Sequence, residues 1–211
     1  MQIIEKITLK IDTGDAEGVA ELIEQAVGQN IPTEEILNQG LVAGMNIVSE
    51  KFKNNEIFIP EVLVSAKAMK AGMAIIRPLL AKANIKSRGK VVIGTIQGDL
   101  HDIGKNIVAM LLEGAGFEVI DLGADVQIEK FVEQAEKENA DIVGMSALLT
   151  TTMVNMGPVI EGLVKAGKKE KVRVMIGGAP VTQAFADNIK ADGYAPDAST
   201  AVDLAVNLMA K

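Results

Sequence analysis

Residues 90–104 have the sequence KVVIGTIQGDLHDIG, and this stretch decides the fold. Its apolar part, residues 91–96, predicts a buried β-strand. A polar loop bounded by Gly98 and Gly104 follows, and helical spacing begins directly after it. A strand that leads into such a loop and then a helix is the usual place for a ligand in an open α/β domain. We therefore expect a binding site at residues 98–104.

The chain from residue 89 onward alternates between strand and helix patterns. Strands are predicted at residues 90–96, 117–122, 141–145, 172–176 and 193–195. Helices are predicted at residues 104–114, 128–139, 152–166, 182–191 and 200–209. The strands are continuous apolar runs, which is typical of a parallel sheet covered on both faces. The pattern predicts an α/β domain with a Rossmann-like (flavodoxin-like), doubly wound, parallel five-stranded sheet.

The chain before residue 83 shows only helical patterns. A break at Asp15 precedes the second helix, Thr33 is the expected N-cap of the third, and the fourth begins near Pro60. Four helices with short connections predict an N-terminal four-helix bundle. The polar residues 83–90 predict a linker. We therefore expect a helical cap domain at residues 1–88 and a Rossmann-like domain at residues 89–211.

Composition excludes several classes of partner. The chain has 211 residues, with 21 Lys and Arg against 28 Asp and Glu, which gives a formal net charge of −7. Binding a polyanion requires clustered basic residues, so nucleic acid and anionic membranes are not expected partners. No apolar run is long enough for a membrane span, and the N-terminus lacks the features of a signal peptide. We expect a cytoplasmic protein.

The only histidine of the chain, His101, lies in the loop after the first predicted strand, and the chain has no cysteine. A lone loop histidine is most often a surface or hydrogen-bonding residue, and Asp99 can be a helix cap. Imidazole is also a common metal ligand, and a carboxylate two residues earlier can orient the ring. One His without Cys cannot build a His/Cys zinc cage. A metal at His101 would therefore arrive in a macrocycle that supplies most of its ligands.

Small and polar residues follow the other predicted strands. They are Ser146 and the hydroxyl run Thr150–Thr152, the pair Gly177 and Gly178, and the turn Pro196–Ser199. Because all strand ends meet at one edge of a parallel sheet, these residues predict a deep slot with small walls. A Walker loop is excluded by the glycine spacing, and the dinucleotide fingerprint is absent after the first strand. Turn and cap chemistry remains the alternative for each motif.

Three linked motifs resemble those of cobalamin-binding domains that take the cofactor base-off with a histidine ligand. Residues 99–104 match Asp-x-His-x-x-Gly, residues 146–148 match Ser-x-Leu, and residues 177–178 match the later Gly-Gly. Residues 44–48, Phe52 and residues 58–62 resemble the four-helix cap of cobalamin-dependent methionine synthase. The whole chain is similar to the stand-alone corrinoid carriers of methanol, methylamine and methoxyl-aromatic methyltransferase systems.

The resemblance implies roles for individual residues. His101 would be the lower axial ligand of cobalt, Asp99 would accept a hydrogen bond from its ring, and Thr152 would extend this relay in place of a serine. The loop would add the contacts Gly98, Leu100, Asp102, Ile103 and Gly104, with Gly98 and Asp102 under the corrin. Ser146 and Thr150 would contact the nucleotide tail, Leu148 would be a further cofactor contact, and Gly177, Gly178 and Ala198 would leave room for the nucleotide. In the helical cap, Phe52, Ile59 and Val62 would cover the methyl face.

The resemblance also implies a function and its partners. The cofactor would be cobalamin, cycling between cob(I)alamin and methylcobalamin, and the chain would carry a methyl group without being a catalyst alone. A donor-specific methyltransferase (O-demethylase, methanol or methylamine type) would load it. A second methyltransferase, acting on tetrahydrofolate or coenzyme M, would unload it, and a reductive activator would rescue oxidised cobalt. The alternatives are the cobalamin subunit of an adenosylcobalamin-dependent isomerase and a cobalamin sensor.

Overall fold

The computed structural model describes residues 2–83 and 87–210, with the side chain of residue 81 left out. The described residues form two compact units. One comprises the described part of Met1–Ser87 together with Glu113–Gly116, and the other comprises Arg88–Leu112 and the described part of Phe117–Lys211. Part of the predicted linker, residues 84–86, lies outside the described residues. The predicted boundary between residues 88 and 89 stays a prediction.

The first unit consists of helices that bury aliphatic faces. They are α1 (Ile3–Asp12), α2 (Ala16–Gly28), α3 (Thr33–Glu35), a π-helical segment (Ile36–Val42), α4 (Ala43–Lys53) and α5 (Ile59–Lys82). The segment from α3 to α4 is continuous, so the unit contains four consecutive helical rods, as the sequence predicts. Along α1, Ile4, Ile7 and Ile11 are buried at helical spacing, which places one apolar face toward the core.

Two details of this unit differ from the prediction. Pro32, in extended conformation, is the residue before the third rod, and Thr33 is its first helical residue without a side-chain capping bond. The predicted Thr33 cap is therefore wrong, because the chain enters the helix one residue earlier. The π-helical turn was not predicted. Its close contact with α1 depends on Gly40, since a Cβ there would lie 3.2 Å from Ile7, and the following helix α4 depends likewise on Gly44, where a Cβ would lie 2.6 Å from the Cβ of Ile11.

The second unit contains the predicted parallel sheet. Its strands are β1 (Lys90–Thr95), β2 (Glu118–Asp121), β3 (Ile142–Ser146), β4 (Arg173–Gly177) and β5 (Gly193–Ala195). They lie in the order β2-β1-β3-β4-β5, with every pair parallel. This is the flavodoxin-like order, which reverses direction between β1 and β3. The predicted α/β class, with a helical region before a five-stranded parallel sheet, is confirmed.

The helices of this unit are α6 (Ile103–Gly114), α7 (Ile128–Lys137), α8 (Thr150–Met153), α9 (Met156–Lys165), α10 (Gln183–Ile189) and α11 (Ala198–Met209). The single helix predicted at residues 152–166 is wrong, because α8 and α9 are separate. Pro158 has no N–H to donate to the carbonyl of Val154, so a continuous helix would leave that carbonyl without its partner. Among the described residues, no helix is long and apolar enough to cross a membrane.

Candidate functional site

The candidate site lies at the carboxyl edge of the sheet, where the strand order reverses. The loop after β1 carries His101, and the loop after β3 carries Leu148 and Leu149. Both loops converge on the carboxylate of Asp99, whose Oδ2 accepts the backbone N–H of Leu148 at 2.8 Å and of Leu149 at 3.3 Å. Open α/β sheets bind ligands at this topological position.

Asp99 is fully buried and is held by hydrogen bonds from two loops and a helix. Besides Leu148, it accepts the hydroxyl of Thr152 at 2.7 Å and the backbone N–H of His101 at 3.1 Å. Burial alone would raise the pKa of Asp99. The bonds from Thr152, Leu148 and His101 outweigh burial and hold the pKa far below its usual range. Asp99 is therefore a carboxylate near neutral pH and acts only as an acceptor.

His101 presents one ring nitrogen to Asp99 and leaves the other available. Its Nδ1 lies 2.8 Å from Oδ1 of Asp99, and its side chain is 53% exposed. Because the ionised Asp99 can only accept, Nδ1 carries the proton and Nε2 of the neutral ring keeps a free lone pair. The carbonyl of His101 accepts the hydroxyl of the buried Thr95 at 3.3 Å. This arrangement fixes the ring and its tautomer, as in histidines that ligate metals.

An exposed apolar rim surrounds the histidine loop. Leu100 is 75% and Ile103 71% exposed, and in the neighbouring loop Leu148 is 45% and Leu149 41% exposed. Large apolar side chains concentrated at one edge mark a binding surface. Two other predicted loop residues have structural tasks: the carbonyl of Asp102 accepts the N–H of Asn106 at 2.8 Å, and Gly98 takes φ +85°. Their contact with a cofactor stays a prediction.

A cavity of about 140 Å³ opens beside this loop, at the ends of β1, β3, β4 and β5. Its walls include five of the predicted residues, namely Gly104, Ser146, Gly177, Gly178 and Ala198. A Cβ added at Gly104 would meet no atom within 4 Å, so this glycine keeps space open at the cavity wall. The structure thus places these five predicted residues around one cavity, whose walls are small side chains as expected. Which part of a ligand enters the slot stays a prediction.

The glycine pair has a structural reason that the sequence did not reveal. Gly178 has φ +118°, and a Cβ there would lie 1.9 Å from the carbonyl oxygen of Ala147. A Cβ at Gly177 would lie 2.8 Å from the carbonyl oxygen of Ala195. Both glycines are therefore required by close backbone contacts within the protein, before any ligand is considered.

The structure does not bring every predicted residue to the cavity. Thr150, expected beside the nucleotide tail, is exposed at the start of α8 and is not among the cavity residues. In the helical unit, Val62 is fully buried, whereas Phe58 is 64% and Ile59 39% exposed. Val62 is therefore buried in this structure, and its predicted place over the methyl face stays a prediction. Phe52 is half-buried, and a covering role for it and Ile59 stays a prediction.

Two charged residues near the site were missed. Lys105, in the first turn of α6, lines the cavity with a fully buried side chain, and its Nζ pairs with the carboxylate of Asp121. Its signal was a lysine in the first turn of a helix that is otherwise mainly apolar. Asp125, in the loop after β2, accepts the N–H of Gly98 at 2.7 Å. No pattern in the sequence pointed to Asp125, because it lies far along the chain from the loop that it contacts.

Comparison with known proteins identifies the class. A B12 binding domain model matches residues 89–203, and a second B12 binding domain model matches residues 3–77. The chain belongs to the B12-binding family of corrinoid proteins. It is 42% identical to a corrinoid protein of Desulfitobacterium hafniense, over 100% of this chain and 99% of the relative. It is 47% identical to the dimethylamine corrinoid protein of Methanosarcina barkeri, over 97% of this chain and 93% of the relative.

A solved structure agrees with this placement. The methanol:cobalamin methyltransferase complex from Methanosarcina barkeri matches with a TM-score of 0.89 and 32% identity, over 99% of this chain and 80% of the matched chain. Cobalamin is therefore the cofactor of this protein. The residues at the sheet edge fit that group: one imidazole nitrogen of His101 is free, exposed apolar side chains lie around it, and a cavity with small walls lies beside it.

Proposed function

We propose that the chain carries a methyl group on cobalamin bound base-off with His101 as the lower axial ligand. A substrate-specific methyltransferase loads the methyl group, and a second methyltransferase transfers it to tetrahydrofolate or coenzyme M. A reductive activator returns oxidised cofactor to use. Membership of the B12-binding family and the similarity to a dimethylamine corrinoid protein and to a methanol:cobalamin methyltransferase complex support this proposal.

The hydrogen bond between His101 and Asp99 is the observation that carries the proposal. It holds the proton on Nδ1 and leaves the lone pair of Nε2 unused, in a side chain that is 53% exposed. Because a macrocycle would bring most of the ligands of cobalt, one such nitrogen is the kind of ligand that the protein would add. An anionic partner at Nδ1 also makes Nε2 a stronger donor to the metal.

Thr152 and the loop after β3 stabilise this arrangement from inside the protein. The Thr152 hydroxyl donates to Oδ2 of Asp99, whereas the ring of His101 uses Oδ1. The two carboxylate oxygens therefore have separate tasks. Removing the Thr152 hydroxyl would alter the charge density that Asp99 offers to the imidazole, so Thr152 would tune the ligand without touching it.

The remaining residues hold the body of the cofactor. The cavity wall with Gly104, Ser146 and Ala198 would take the displaced nucleotide tail, whose flat heterocycle suits a slot with small side chains. Leu100 and Ile103 would contact the apolar edge of the corrin and keep water from it. Bound in this way, cobalamin supplies a cobalt centre that takes up and releases a methyl group.

Methylated amines are the donor class that we propose. The dimethylamine corrinoid protein is 47% identical to this chain, whereas the matched chain of the methanol system is 32% identical. The test loads the purified protein with reduced cobalamin and adds either a dimethylamine or a methanol methyltransferase with its substrate. We expect absorbance changes of methyl loading with the amine enzyme.

Loading by the methanol enzyme alone would refute the donor class and leave the carrier role intact. Loading by neither enzyme, together with cobalamin-dependent isomerisation of a carbon skeleton, would refute the carrier role in favour of an isomerase subunit.

A further inference from the structure

The loop after β2 holds the histidine loop from the outside. Oδ1 of Asp125 accepts the N–H of Gly98 at 2.7 Å, and the N–H of Asp125 donates to the carbonyl of Asp99 at 2.9 Å. The same loop continues along β1, where Gly123 accepts the N–H of Thr95 at 2.9 Å. One residue, Asp125, therefore contacts the main chain on both sides of the Gly98–Asp99 peptide.

The backbone of Asp125 is held in an unusual conformation. Its φ is +53°, in the left-handed region, where glycine is the residue with the lowest cost. Aspartate adopts this region more readily than most residues, but glycine adopts it at least as well, so the backbone conformation does not explain why a carboxylate is present. The hydrogen bond to Gly98 gives the carboxylate a task that glycine would not fulfil.

We propose that Asp125 is a positioning residue for the ligand histidine, a role that rests on the proposed function of His101. Thr152 and Leu148 fix the carboxylate of Asp99 from inside the protein. Asp125 fixes the main chain of the same residue from outside. The two sets of bonds together hold Oδ1 of Asp99 where the Nδ1 proton of His101 meets it.

Three variants separate the contributions of Asp125. Asp125→Gly removes the carboxylate but keeps the backbone N–H and suits the positive φ, so it tests the bond to Gly98 without adding strain. Asp125→Asn keeps an acceptor oxygen and removes only the charge. Glu129→Gln is the matched control, because Glu129 is an exposed acid at the start of α7 and its substitution removes one charge from the same region.

The measurement uses the protein without cofactor, so its outcome does not depend on cobalamin binding. Because His101 is the only histidine, nitrogen-15 NMR of the imidazole reports its tautomer without ambiguity. Wild type is expected to show mainly the Nδ1–H tautomer, because Asp99 accepts the Nδ1 proton. Exchange of the Gly98 amide hydrogen reports the bond to Asp125.

We expect Asp125→Gly to exchange the Gly98 amide about tenfold faster and to lower the Nδ1–H fraction, with Asp125→Asn between it and wild type. Glu129→Gln should match wild type. A tautomer fraction in Asp125→Gly equal to that of wild type would overturn the proposal. If thermal stability fell at the same time, Asp125 would be a purely structural residue. Failure of His101 to ligate cobalt would instead appear in the spectrum of the loaded wild-type protein.

Discussion

Removing the hydroxyl of Thr152 tests how much its hydrogen bond to the buried carboxylate of Asp99 contributes to stability. Its bond to Asp99 is 2.7 Å long, Asp99 is fully buried, and Thr152 itself is only 7% exposed. A hydrogen bond to a buried charged group contributes about 1.5 to 3 kcal/mol. Thr152→Val keeps the shape of the side chain and removes this donor. We therefore expect the free energy of unfolding to fall by about 2 kcal/mol, and Thr152→Ser to cost less than about 1 kcal/mol because it keeps the hydroxyl.

The assay is urea denaturation at neutral pH, followed by the near-ultraviolet signal of Tyr194. This residue is the only tyrosine, the chain has no tryptophan, and Tyr194 lies in β5, so the signal reports the unit that contains the sheet. Equal midpoints for wild type and Thr152→Val would refute the reasoning. A loss in Thr152→Ser as large as that in Thr152→Val would also refute it, because the methyl group would then be the important part.

The difference in unfolding free energy between wild type and Thr152→Val is also predicted to depend on pH. The folded pKa of Asp99 is lowered, so its contribution to stability is present above the unfolded carboxyl pKa of about 3.9 and is lost as pH falls below it. Removing the Thr152 hydroxyl brings the folded pKa closer to the unfolded value. Both proteins share the unfolded pKa, so the stability difference between wild type and Thr152→Val should stay constant until the pH falls to the folded Asp99 pKa of the variant, and it should shrink below that point. A difference that already shrinks between about pH 7 and pH 4, where folded Asp99 stays ionised in both proteins, would contradict this account.

Two further pairs of variants test the cavity. Gly178→Ala should cost more than about 3 kcal/mol because its Cβ would overlap a neighbouring carbonyl at positive φ, whereas Gly104→Ala should fold normally and bind cobalamin more weakly. Thermal melts without cofactor compare the stability of the two variants, and the shift on adding cofactor reports how strongly each binds it. Equal melting temperatures for Gly178→Ala and Gly104→Ala without cofactor would contradict the expectation. Asp121→Asn should cost about 3 kcal/mol because it leaves the buried ammonium of Lys105 without a counter-charge, whereas Lys105→Met should cost less because it leaves a carboxylate that is 40% exposed. A larger loss of unfolding free energy in Lys105→Met than in Asp121→Asn, measured by urea denaturation, would contradict this expectation.

The sheet and the histidine loop could be predicted because their information is local. Apolar runs define β1 and β3, and Gly98 and Gly104 bound the loop that carries His101. The break between α8 and α9 was also present locally, at Pro158, but the surrounding apolar residues kept helical spacing and concealed it. Periodicity describes which face is buried and is weak at locating where a helix is interrupted.

The missed features depend on contacts between distant segments. Gly178 is fixed by the carbonyl of Ala147, and Asp125 acts on Gly98, so neither role can be deduced from neighbours in the chain. In each case, the three-dimensional partner determines the role.

The most direct test of the central claim is an absorption spectrum. Wild type and His101→Ala are incubated anaerobically with hydroxocobalamin and desalted, and the bound corrinoid is quantified. His101 is the proposed cobalt ligand, so we expect wild type to keep stoichiometric corrinoid with a histidine-ligated, base-off spectrum that is altered or lost in the variant. A folded wild-type protein that leaves the column without corrinoid, or identical spectra for the two proteins, would contradict the claim.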